Sequence, residues 1–163
     1  MIRSALGQDS HAFENSFDKP LILGGFLISG ERGLKANSDG DVLLHALTNA
    51  VSGITGRNIL GPVADELCRA GIRDSRAYLE EALKDLGALG GHLEHVSFSI
   101  EAARPRFTPL IPAIRAHLSQ ILNLEPGRIG LTATSGEGLT AFGRGEGIQV
   151  LCIVTAWLPG EPL

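Results

Sequence analysis

Cysteine is scarce: the chain has two, Cys68 and Cys152, and they do not form a CxxC pair. That excludes a disulfide framework and a zinc ribbon, and it fits a reducing compartment. No apolar run approaches the roughly 18 residues that a membrane helix needs. The start, Met1-Ile2-Arg3-Ser4-Ala5, lacks the apolar core of a signal peptide. The expected setting is therefore the cytoplasm, with no membrane partner. Basic residues do not predominate either. The 14 Lys and Arg stand against 18 Asp and Glu, and the resulting net charge of −4 speaks against a nucleic-acid partner. No G-x-S-x-G elbow is present, and neither cysteine has an evident base beside it. The sequence thus offers no protein nucleophile of a familiar kind.

What is present suits one folded unit. A length of 163 residues with 44% apolar content is enough for a real core, so residues 1–163 are read as a single domain. Residues 21–28 read as a hairpin turning at Gly24-Gly25. A helix is predicted over 41–54, capped by Ser38 or Asp39, and a second from Asp74 or Ser75 to about Gly87. Residues 95–100 alternate as a strand with Val96, Phe98 and Ile100 on one face. Thr108-Pro109 opens a third helix with proline first. Residues 129–134 and 147–157 read as strands, the latter apolar enough to be buried on both faces. Residues 57–71 read as a loop, because Asn58, Gly61 and Pro62 interrupt them. The class is α/β (α+β): one mostly antiparallel or mixed sheet with helices packed on one face.

Asp9 and His11 are two residues apart, so in an extended segment they point to the same side. His45 falls on the first helix in a polar stripe with Asp41, Thr48, Asn49 and Ser52. A carboxylate and two imidazoles form an ordinary zinc set, and three protein ligands leave a position open for chemistry. Taken separately, a D-x-H triplet is common and His45 reads as a surface or capped histidine. His92 and His95 read as surface residues, and His117 as a solvent-facing one.

The blocks in combination are more specific. Asp9-Ser10-His11-Ala12-Phe13, Leu23-Gly24-Gly25, Ser38-Asp39-Gly40-Asp41-Val42 with His45-Ala46-Leu47, Asp74-Ser75-Arg76, and Gly143-Arg144-Gly145-Glu146-Gly147 occur in this order. Together they resemble the 2-C-methyl-D-erythritol 2,4-cyclodiphosphate synthase family of the non-mevalonate isoprenoid pathway. The resemblance implies a CMP-releasing lyase, assembled as a homotrimer around its sheets with active sites at subunit interfaces. It implies zinc, or another divalent metal, on Asp9, His11 and His45. It also implies magnesium or manganese on Glu137 and the phosphates of a cytidine nucleotide substrate. Catalytic positions would be Asn37 and Ser135. The erythritol side would use Ser10, Ser38, Asn58, Ile59, Leu60 and Asp65. The cytidine pocket would draw on Ala102, Ala103, Arg104 and Pro105, on Arg106, Phe107 and Thr108, and on Ala133, Thr134 and Ala141. Arg144 would lie near the trimer axis, beside a cavity able to hold an isoprenoid diphosphate.

Several positions depart from the family pattern. Asn37 stands where a histidine precedes the serine; asparagine donates a hydrogen bond but carries no charge. Ser135 stands for a threonine, Asn58 for an aspartate, and Val63-Ala64-Asp65-Glu66-Leu67 for a loop of the form F-P-D-T-D. Ala5-Leu6-Gly7-Gln8 replaces a more glycine-rich approach to the metal motif. Leu151 replaces an acid that pairs with the axial arginine. The metal side matches the family while the erythritol side differs. That leaves two readings: the family's cyclisation, or a paralogue that keeps trimer and metal but takes another nucleotide-linked substrate or serves only to bind.

Overall fold

The computed structural model describes residues 1–160. Strand β1 (Ile2–Ala12) is followed by a hairpin of β2 (Leu21–Leu23) and β3 (Phe26–Ile28), then helices α1 (Val42–Thr55), α2 (Pro62–Arg69) and α3 (Ser75–Ala88). Strand β4 (His92–Glu101), helix α4 (Ile111–Leu122) and strands β5 (Ile129–Thr134) and β6 (Gly147–Trp157) complete it. The main sheet has the order β1-β6-β4-β5. Its first two pairings are antiparallel, and β4 with β5 is parallel, so the sheet is mixed as expected. The parallel pair is joined through α4, as parallel neighbours require a crossover.

The helices cover one face of this sheet. Helix α1 lies on β1 and β6, and α3 packs on the outer side of α1. Val96, Phe98 and Ile100 of β4 and Ile148, Val150, Cys152, Val154 and Ala156 of β6 fill the core between them. Strand β6 is therefore not buried on both faces. Its intervening residues Leu151, Ile153 and Trp157 are exposed, together with Leu6 on β1, which is 60% accessible. Alternation along a strand sends every second side chain to the uncovered face.

Other expectations needed correction. Residues 57–71 contain α2, because Gly61 takes φ 142 at the cap and Pro62 opens the helix. Asp65 in its first turn and Arg69 in its last complement the helix dipole. The cap of α1 is Asp41, whose side chain accepts the Leu44 N–H at 3.1 Å. Ser38 is not free for that role: its hydroxyl accepts the Gly40 N–H at 3.2 Å within the preceding turn. Helix α4 starts at Ile111, not at Pro109, since the Leu110 and Ile111 N–H groups are both used on Phe107 O in a turn. His117 is half-buried, its ring edge-on to Phe26 with centroids 5.2 Å apart. His92 and His95 are exposed as expected.

Candidate metal centre and active site

Strand β1 is held unusually close to α1. Gly7 makes this possible, because a Cβ at that position would lie 2.1 Å from Ala46 O and 2.3 Å from Ala50 N. The close approach carries Asp9 and His11, two and four residues further along the same face, to His45 one turn before the end of that contact. Asp41 fixes the other end of α1. It is fully buried, and it accepts N–H groups from Gly24 at 2.9 Å and Gly25 at 2.7 Å, pinning the β2–β3 turn to the helix.

The three expected ligands converge. Asp9 Oδ2 lies 2.8 Å from His11 Nε2 and 3.0 Å from His45 Nδ1, and the two ring nitrogens are 3.1 Å apart. A tetrahedral zinc with donors at about 2.0–2.1 Å separates them by roughly 3.3 Å, so the residues fit the ion. Three atoms that carry lone pairs repel at such distances unless a proton or cation lies among them. Burial raises the Asp9 carboxyl, but hydrogen bonds from His11 and His45 and their charges outweigh it, holding the group far below the usual carboxylate range. An ionised oxygen is what a metal needs here.

His45 is 6% exposed, not a surface histidine. Its outer nitrogen, Nε2, meets Ser75 Oγ at 2.8 Å and Ser38 Oγ at 3.2 Å. Ser75, at the first position of α3, is completely buried. Its hydroxyl donates to Asp39 Oδ1 at 2.5 Å and its backbone N–H to Asp39 Oδ2 at 3.0 Å. In the sequence Ser75 and Asp39 read as helix caps; helix-start chemistry and ligand-orienting chemistry use the same residue types, and spacing alone does not separate them.

A cavity of about 370 Å³ opens over the metal group. Asn37, Ser38, Leu60 and Asp65 line it along with the triad, and Cys68 and Tyr78 join them from α2 and α3. Other expected residues fall elsewhere. Ile59 is fully buried in the core, which leaves only its backbone for a substrate. Ser10 is exposed and alternates away from Asp9 and His11. Asn58 is exposed just before the α2 cap.

A second group forms at the ends of β4 and β5. The Ala102 N–H donates to Thr134 O and that of Ala103 to Phe142 O, both at 3.0 Å. Ala133, Thr134 and Ser135 are exposed beside them, and Glu137 is presented at φ 55 between Gly136 and Gly138. Thr140 Oγ1 donates to Glu101 at 2.5 Å, tying this loop to β4. Arg104 forms a two-point ion pair with Glu31, at 3.0 and 3.2 Å. Arg106 and Thr108 are exposed, whereas Ala102, Pro105 and Phe107 are buried. Arg144 pairs with Glu146 at 3.1 Å, and Ala141 is half-buried in the same loop. None of this second group lines the metal cavity.

The fold and the converged acceptors define an α+β protein with a divalent-metal centre on the helical side of a mixed sheet. The chain belongs to the YgbB family, whose model matches residues 2–157, the family of 2-C-methyl-D-erythritol 2,4-cyclodiphosphate synthases. It is 48% identical to the synthase of that name from Chlamydia caviae, over 94% of this chain and 88% of the relative. It overlays on a synthase solved in a CDP-bound form at 34% identity and a TM-score of 0.83, covering 95% of this chain and all of that one. It also overlays on the bifunctional IspDF from Campylobacter jejuni at 31% identity and a TM-score of 0.87, covering 98% of this chain and 43% of that longer one.

Proposed function

We propose that this chain converts 4-diphosphocytidyl-2-C-methyl-D-erythritol 2-phosphate to 2-C-methyl-D-erythritol 2,4-cyclodiphosphate and CMP. The reaction is internal to the substrate. An oxygen of the 2-phosphate bonds to the β-phosphorus, the β-phosphorus–oxygen bond to the α-phosphate breaks, and CMP leaves with the bridging oxygen. No side chain forms a covalent bond, in keeping with a sequence that offers no evident nucleophile. The observation that carries the reading is the convergence of Asp9, His11 and His45 at the floor of an open cavity.

A divalent metal on that triad supplies charge screening and Lewis-acid polarisation for phosphates that otherwise repel. The remaining work belongs to positioning. Asn37 and Ser38 at the cavity rim offer uncharged hydrogen-bond donors to phosphate oxygens, and Asp65 and Leu60 bound the erythritol side. Glu137, with one carboxylate and the nucleotide's own oxygens, suits magnesium or manganese. The backbone of residues 102–108 and the small residues Ala133, Thr134 and Ser135 suit the edge of a cytosine.

Metal centre and nucleotide group occupy separate places on one chain, so a homotrimer that juxtaposes the metal centre of one subunit with the nucleotide group of the next would complete the site. The uncovered apolar sheet face around Leu6 and Ile153 supports assembly through the sheets. Arg144 stands close in sequence to that face and would serve an isoprenoid diphosphate at the axis.

The test is CMP release from the cytidine-linked 2-phosphate with zinc and magnesium present. Turnover with formation of the cyclic product is expected, and an Asp9→Ala, His45→Ala double variant should lose both zinc and activity. Zinc bound by the wild type without CMP release would favour a paralogue with another nucleotide-linked substrate.

A further inference from the structure

We infer that Asp39 and Ser75 act as positioning residues for the metal, by fixing which nitrogen of His45 carries the proton; the inference rests on the metal reading above. The chain of hydrogen bonds has a direction. The Ser75 hydroxyl has one proton, and its 2.5 Å contact with the Asp39 carboxylate, which cannot donate, commits that proton to Asp39. Ser75 Oγ then faces His45 Nε2 with a lone pair, at 2.8 Å. Nε2 must carry a hydrogen, which leaves Nδ1, 3.0 Å from Asp9 Oδ2 and 3.1 Å from His11 Nε2, as the nitrogen that gives its lone pair to an ion shared by the three. A histidine that ligates through Nδ1 needs this tautomer.

Asp39 is itself held in place. Its Oδ1 also accepts the Asp41 N–H at 3.0 Å and its Oδ2 the Ser75 N–H at 3.0 Å, so the carboxylate spans the starts of α1 and α3. Ser75 is fully buried and has no alternative partner in solvent. Ser38 Oγ, at 3.2 Å from Nε2, is the longer of the two contacts, and its hydroxyl is competent both to accept and to donate there. The arrangement is a carboxylate–hydroxyl–imidazole relay that runs from two helix starts to the metal centre.

Asp39→Asn provides the sharpest test. An asparagine amide turned toward Ser75 would donate to the hydroxyl, reverse the relay, and let Ser75 donate to Nε2. His45 would then place its hydrogen on Nδ1, the nitrogen the metal requires. Apo-protein is titrated with zinc against a chromophoric chelator, and the His45 tautomer is read by long-range nitrogen–proton NMR. Zinc-loaded wild type should show the Nε2–H form. Ser75→Ala and Asp39→Asn should bind zinc about 10–100-fold more weakly, the effect expected when an outer partner of a ligating histidine is lost. Asp74→Ala serves as control: it removes the side-chain cap of α3 without touching the relay, and should leave zinc affinity within about twofold. An Nδ1–H tautomer in the zinc-loaded wild type, readable whether or not the variants fold, overturns the inference. So does zinc affinity in folded Ser75→Ala and Asp39→Asn equal to that of the wild type. Absence of zinc binding by the wild type would instead sink the metal reading itself.

Discussion

Gly7 and Ala46 are in direct backbone contact: the site where a Cβ of residue 7 would stand is 2.1 Å from the Ala46 carbonyl oxygen. No side chain could move aside, because the obstruction is main chain. This contact sets the separation of β1 from α1 and hence that of Asp9 and His11 from His45. Gly7→Ala is expected to cost at least about 3 kcal/mol, at or beyond the upper end of ordinary overpacking. Chemical denaturation should show the loss, and zinc affinity should fall with it. A variant as stable as wild type would mean that the two elements are free to part.

Asp41 should titrate far from an ordinary aspartate. Burial pushes its carboxyl up to about 6, against the N–H groups it accepts from Gly25, Leu44 and Gly24. The folded state therefore holds this proton more tightly than the unfolded chain. The stability contributed by this group is greatest below about pH 4, declines as pH rises to about 6, and is level above that. Carbon-13 NMR should place the Asp41 midpoint near 6. Subtracting the thermal midpoints of Asp41→Asn from those of wild type should isolate the decline. A midpoint near 4 would refute the shift. At pH 7 Asp41→Asn should also be destabilised by about 1–3 kcal/mol, since its amide nitrogen turns a donor toward one of those N–H groups.

Asn37 lines the cavity where the family pattern has a histidine. Replacing a neutral donor by a charged one strengthens a phosphate contact by about 1.4 kcal/mol, or tenfold. Asn37→His should raise kcat toward that factor, with the larger gain below pH 7, where imidazolium is populated. A pH-independent rate equal to wild type would show that this position no longer faces the reacting phosphates.

Ile153 is 49% exposed at the centre of the uncovered sheet face. If subunits meet there, Ile153→Glu would bury an unpaired charge and should yield a smaller species by sedimentation or light scattering. It should lose CMP release while the isolated chain keeps its zinc, because the triad lies within one subunit. An unchanged oligomer would place the interface elsewhere.

Much of the fold was legible because its signals are local. Strands β5 and β6 were read to the residue, and the hairpin followed from Gly24-Gly25. Helix α2 was not, since Gly61 and Pro62 resemble loop chemistry until proline is seen as the first helical residue. The cap of α1 was misplaced because Ser38, Asp39 and Asp41 are all competent caps, and only tertiary demands on the first two leave the third. The metal ligands were legible through spacing and block order. The Ser75–Asp39 connection was not, as it joins residues 36 positions apart through one buried hydroxyl. The burial of Ile59 and the outward turn of Ser10 depend on packing that a linear pattern does not carry.

Strand β1 is an edge strand, paired with β6 along one side. An outermost strand is where a sheet peels first. An ion shared by Asp9, His11 and His45 would rivet this strand to the helix behind it, so that losing the metal would not only silence the centre but unfasten the margin of the sheet. Amide exchange along β1 should then report metal occupancy, and the seam between chemistry and scaffold would be a single bolt.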